Sequence, residues 1–178
     1  LNPTVGDLEG NMAKALATYQ EAAQSGADLV VFSELFLPGY PPEDLVLKPA
    51  FANASKAAAE RLATKITNGP GVIIGTIWPE DGKVYNAAVL IDGGEIRAVR
   101  YKSDLPNYGV FDEKRVFEAG PLPGPVDFRG VRIGMPICED IWNEEVCECL
   151  AECGAEILVV PNGSPFDWKK PDVRTNIA

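Results

Sequence analysis

Three apolar runs in this chain each end on a polar residue able to do chemistry. They are Asp28-Leu-Val-Val-Phe-Ser-Glu34, Ile96-Arg-Ala-Val-Arg-Tyr-Lys102 and Val131-Arg-Ile-Gly-Met-Pro-Ile-Cys138. Helical spacing precedes the first run. Met12, Leu16, Tyr19 and Ala23 recur at i, i+4, i+7 and i+11, which predicts an amphipathic helix over residues 8–25. Asp7 or Asn11 can cap its start, and Gly26 suits the position just past its end. Leu29 to Phe32 reads as a buried strand, followed by a loop at Pro38-Gly-Tyr-Pro-Pro42. A second helix is predicted near residues 49–67, with Ala54, Ala58, Leu62 and Ile66 on one face. Val72 to Ile77 reads as a strand. Residues 86–91 and 95–101 form a hairpin around Asp92-Gly-Gly94.

Residues 103–124 show no strong periodicity and read as a long loop, a kind of segment that is usually functional. A second hairpin turns at Arg129-Gly130 and runs into Cys138. A helix over roughly 143–153 closes at Gly154, and a strand at Ile157 to Val160 leads into the loop Pro161-Asn-Gly-Ser-Pro165. Helices before and between strands predict a layered α/β sandwich. The hairpins make its sheets mixed rather than purely parallel. The strand Leu29 to Phe32 is apolar on both faces, so each side needs a cover.

A side chain at the carboxyl end of a strand is held rigidly and faces a crevice, where open α/β sheets place their chemistry. Taken singly, Cys138 reads as a buried structural thiol, Lys102 as a snorkelling lysine and Glu34 as a solvent-facing carboxylate. All three at strand ends reverse that judgement and suggest a nucleophilic site. The chain contains no histidine, so thiol chemistry must take its base from a carboxylate or an amine. Glu34, beside apolar Val31, Phe32 and Leu35, would be the base. Lys102 would stabilise an oxyanion and, lying between thiol and carboxylate, would hold both ionised.

Sixteen basic against 26 acidic residues give a net charge of −10, which argues against nucleic acid or an anionic membrane as a partner. No apolar stretch approaches the roughly 20 residues of a membrane span, and no signal-peptide pattern opens the chain. Cys138, Cys147, Cys149 and Cys153 crowd into sixteen positions, which suits a reduced, cytoplasmic setting. The spacing C-x-C-x3-C matches no usual zinc pattern, so no metal site is expected. No Gly-rich phosphate-binding fingerprint is present.

Ser33-Glu34-Leu-Phe-Leu-Pro-Gly-Tyr40, Tyr101-Lys102-Ser-Asp-Leu-Pro-Asn-Tyr108 and Pro136-Ile-Cys138-Glu-Asp-Ile-Trp142 resemble the three signature regions of the nitrilase superfamily, in the family's order. The opening Leu1 to Asp7, Gly39 to Leu45 and Leu105 to Arg115 narrow the resemblance to the amidase (glutaminase) domains of glutamine-dependent NAD(+) synthetases. The resemblance implies a four-layer α-β-β-α sandwich. It implies that Cys138 attacks the side-chain amide of L-glutamine, that Glu34 is the base, and that Lys102 and a backbone N–H near Glu139 stabilise the oxyanion. Glu113 falls where the family keeps a second active-site glutamate. Tyr108 would line the glutamine pocket, Trp142 and Ser164 match substrate-contacting positions, and Lys170 would help recognise the amino acid. Ammonia would pass to a synthetase domain of the same polypeptide, which uses ATP and Mg, and family members assemble as homo-oligomers.

The chain opens on Leu1-Asn-Pro without an initiator Met and stops at Val173 to Ala178 as a helix is starting. The expectation is one domain over residues 1–178, truncated at its C-terminus and part of a longer protein whose synthetase domain is absent here. Two other functions fit the same residues: a stand-alone carbon–nitrogen hydrolase acting on another small amide, and a catalytically silent assembly fragment.

Overall fold

The computed structural model describes residues 1–164. Helix α1 spans Leu8–Gln24, and the Asp7 carboxylate caps it by accepting from Gly10 N at 2.9 Å. Asn11 caps nothing. It is buried, accepts from Thr4 N and donates to Thr4 O and Leu37 O, tying the chain start to the segment after the first strand. Strand β1, Leu29–Val31, pairs parallel with β2, Gly71–Glu80. The crossover between them carries α2, Pro49–Ala63. β3, Lys83–Asp92, and β4, Glu95–Tyr101, continue antiparallel in the order β1-β2-β3-β4.

A second sheet has the order β5-β6-β7, from Val126–Phe128, Val131–Gly134 and Ile157–Leu158. β5 and β6 form the expected hairpin, and β6 and β7 run parallel with α3, Glu144–Glu152, between them. Both sheets are mixed. Met12, Ala15 and Tyr19 of α1 and Ala59, Leu62 and Ala63 of α2 pack on Val72, Ile74, Val89 and Ile91. The alternate residues Ile73, Ala88 and Leu90 face Phe128 and Ile133 of the second sheet and Met135 just past β6. Leu150 of α3 packs over Gly134 on the outer face of β6. The layers are therefore helix, sheet, sheet, helix. Each fully buried Leu or Ile contributes roughly 1.5–3 kcal/mol.

Several boundaries differ from the sequence expectation. α2 ends at Ala63, and Ala54 points to solvent while Ala52, Ser55 and Ala59 face inward. The face is rotated because the run of alanines carries little directional signal. β2 continues to Glu80 and forms a hairpin with β3 through Asp81-Gly82, a turn that Pro79 obscures in the sequence. β6 stops at Gly134, so Met135 to Ile137 bridge to Cys138 without ladder pairing. β1 lies at a sheet edge and leaves Val31 45% exposed, so that residue does not shelter Glu34. Among the described residues no helix is long and apolar enough to cross a membrane.

Candidate active site

Glu34 lies three residues past β1, where the chain crosses the face of β2. Phe32 N donates to Ile73 O and Leu37 N to Gly75 O, which anchors the crossing on both sides. The crossing requires Gly75: a Cβ there would sit 2.2 Å from Leu35 N and 2.7 Å from Glu34 C. Leu35 itself takes φ +48°, a strained value for a side-chain-bearing residue. The result is a glutamate fully removed from solvent.

Lys102 follows β4 directly, its N–H donating to Asn86 O at 2.8 Å. It does not snorkel: the side chain is buried, and Nζ donates to Glu34 Oε1 at 2.7 Å and to both oxygens of Glu113 at 2.8 and 2.9 Å. Burial alone would lower the ammonium's pKa. The Glu34 and Glu113 carboxylates outweigh that and hold it above its ordinary value. Glu113 is pushed up to about 7, first by burial and then by Glu34, with Lys102 opposing. Asn86 shares the inter-sheet face of β3 with Ala88 and Leu90. Its Nδ2 donates to Glu34 Oε1 at 2.8 Å and reaches Glu113 Oε2 at 3.5 Å.

Cys138 opens a short 3-10 turn, Cys138–Trp142, with φ +48°, and its N–H donates to Pro161 O. The thiol is buried and meets Asn162 Oδ1 at 3.4 Å and Ser164 Oγ at 3.5 Å. Gly163 N, between those two residues, donates to Glu34 Oε2 at 3.1 Å. One three-residue segment therefore joins thiol and carboxylate. Gly163 must be small here, because a Cβ would lie 2.9 Å from Glu34 Oε2. Lys102 favours the thiolate, as expected, but burial outweighs it. Burial, then the Glu34 charge, push Cys138 up to about 11, and Ser164, Lys102 and Gly163 only partly oppose them.

The structure thus brings Glu34, Lys102, Glu113, Cys138 and Ser164 together. Tyr108 is half exposed at the rim and donates to Glu139 Oε1 at 2.7 Å. Trp142, 36% exposed, ends the 3-10 turn. Lys170 lies outside the described residues. Asn86, Asp140, Asn162, Gly163 and Tyr40 were not singled out from sequence. A carboxamide heading the apolar strand of β3 was the available signal for Asn86. A cleft of about 240 Å³ beside the cluster is lined by Leu35, Tyr40, Phe111 and Glu113 among others. Burial, followed by Glu34 and Glu113, raises the Tyr40 phenol and keeps it neutral. Among the described residues no group of three or more His, Cys, Asp or Glu side chains could hold a metal. Cys147, Cys149 and Cys153 are free thiols on or just after α3.

Such an arrangement can deliver a thiol to a carbonyl, accept its proton and neutralise an oxyanion. The family model described as carbon-nitrogen hydrolase matches residues 1–171. The glutamine-dependent NAD(+) synthetase of Rhodobacter capsulatus is 44% identical over 177 residues, 99% of this chain and 32% of that protein. That of Thermotoga maritima is 42% identical, over 98% of this chain and 31% of that protein. The structure of glutamine-dependent NAD+ synthetase from Acinetobacter baumannii superimposes with a TM-score of 0.91 at 34% identity, covering 98% of this chain and 33% of that one. An amidase from Nesterenkonia sp., at 24% identity, shares the fold with a TM-score of 0.81, over 95% of this chain and 64% of that one. The chain spans about a third of the length of the synthetases it matches.

Proposed function

Because this chain belongs to the carbon–nitrogen hydrolase family, we propose that it is the glutamine-hydrolysing part of a glutamine-dependent NAD(+) synthetase. The observation that carries the reading is the shared anchoring of Glu34 and Cys138 on Asn162-Gly163-Ser164, with Lys102 bonded to Glu34. The names of the synthetase relatives supply the substrate class. The amide carbon of glutamine is attacked by Cys138 Sγ as Glu34 takes the thiol proton. Burial and the Glu34 charge raise the thiol pKa, so deprotonation accompanies attack. Lys102 balances the oxyanion. The C–N bond then breaks, Glu34 returns the proton to the leaving ammonia, and a thioester remains on Cys138. Glu34 next activates a water that releases glutamate. Ammonia passes to the synthetase part of a longer, cytoplasmic, homo-oligomeric protein, where ATP and Mg support amidation. Tyr108, Glu139, Trp142, Ser164 and Lys170 contact or support the substrate.

The test uses the complete protein. Cys138→Ala should abolish glutamine-driven NAD(+) synthesis while synthesis from added ammonium continues. Loss of both activities counts against the reading. Glutamine cleavage with no coupled amidation points to a stand-alone hydrolase, and no cleavage by the unaltered protein points to a silent assembly fragment.

A further inference from the structure

Asp140 is fully buried, and no ion pair to it is found among the described residues. Its Oδ1 accepts from Ser103 N at 3.0 Å and Asp104 N at 2.8 Å, and its Oδ2 accepts from Ile137 N at 2.8 Å. The first two donors follow Lys102 directly in sequence, and the third directly precedes Cys138. Neither segment has ladder pairing at these donors to fix it otherwise: β4 ends at Tyr101 and β6 at Gly134. A second tie lies further out, where Asn143 Nδ2 donates to Asp104 Oδ2 at 2.8 Å.

We infer that Asp140 is a positioning residue whose carboxylate sets the spacing between the Lys102 ammonium and the Cys138 sulfur. The inference rests on the reading of Lys102 and Cys138 as reacting groups. Three N–H donors converge from two segments 33 or more residues apart in the chain, so one side chain holds both reacting groups in register. An ionised carboxylate accepts all three bonds. An amide keeps the Oδ1 acceptor but turns an NH₂ towards the Ile137 N–H, where two donors repel. A displacement of about 1 Å in such a site can lower turnover roughly 100-fold.

The experiment measures kcat and KM for glutamine hydrolysis by the complete protein carrying Asp140→Asn, Asp140→Ala or Cys138→Ala. The expected result is a fall in kcat of about tenfold for the Asn variant and more for Ala, with KM within about threefold of the parent. A folded Asp140→Asn protein with parental kcat, or with a raised KM alone, overturns the inference. If that variant does not fold, Asn143→Asp keeps the oxygen that accepts from Glu145 N and caps α3, and removes only the N–H donated to Asp104. A kcat lowered about threefold at constant KM supports the inference, and an unchanged kcat overturns it. Residual hydrolysis by Cys138→Ala would instead sink the proposed function itself. A silent Cys138→Ala beside a fully active Asp140→Asn removes only the role given to Asp140.

Discussion

The Lys102 ammonium lies 2.7 Å from Glu34 Oε1, with both side chains out of solvent. A cation and an anion taken from water together are costly to separate by mutation, because the survivor stays buried without its partner. Glu113, on the other side of Nζ, makes the cluster one cation against two carboxylates.

Lys102→Met should therefore lower stability by about 3–5 kcal/mol, read from the urea midpoint. It should also reduce glutamine turnover at least about 100-fold through loss of the oxyanion partner. A folded variant with parental turnover would move the oxyanion role to another group.

Glu113 gives a pH dependence with a definite sign. Its carboxyl titrates at about 7 in the folded chain against an ordinary 4.5, so the folded state holds that proton more tightly. The associated stability is present below pH 4.5 and is lost as pH rises through about 7. Glu113→Gln, which carries no charge, should gain stability relative to the parent between pH 5 and pH 8, by on the order of 2–3 kcal/mol. Paired thermal melts at the two pH values check this. A difference that stays flat with pH contradicts it.

The Cys138 thiol, raised to about 11, should be protonated near neutrality in the free protein. Its alkylation by iodoacetamide should keep accelerating past about pH 9. A plateau near pH 7 would mean that the site stabilises a thiolate.

Gly75→Ala should lower stability by roughly 1–3 kcal/mol and depress turnover, because the new methyl meets the backbone at Leu35 and Glu34 rather than a flexible side chain. Denaturation midpoints and kcat measured on one preparation separate the two effects. Loss of stability with full turnover would show that Glu34 tolerates the shift.

The layered α/β architecture was legible because periodicity changes sharply along the chain. Met12 and Tyr19 repeat with helical spacing, Leu29 to Val31 form a short apolar run, and Gly93 turns a hairpin. The candidate side chains stood out as residues near strand ends, although Glu34 and Cys138 lie three and four residues beyond their strands. What the sequence hid was mostly geometric. Asn86 and Gly163 bond to Glu34 across 52 and 129 positions, separations that no local pattern encodes. The pull of Lys102 on the Cys138 thiol was legible, but not how strongly burial opposes a charge there. The Asp81-Gly82 hairpin was missed because a proline near the strand end masks its rhythm.

Glu34 Oε2 is held by an N–H that the ribosome adds 129 residues later. Synthesis runs from the N-terminus, and early parts of a chain begin to fold while the rest is still being made. A nascent chain that has laid down its helices and first sheet therefore still lacks one wall of the pocket. The pocket around Glu34 is complete only once Gly163 has emerged and closed over the carboxylate.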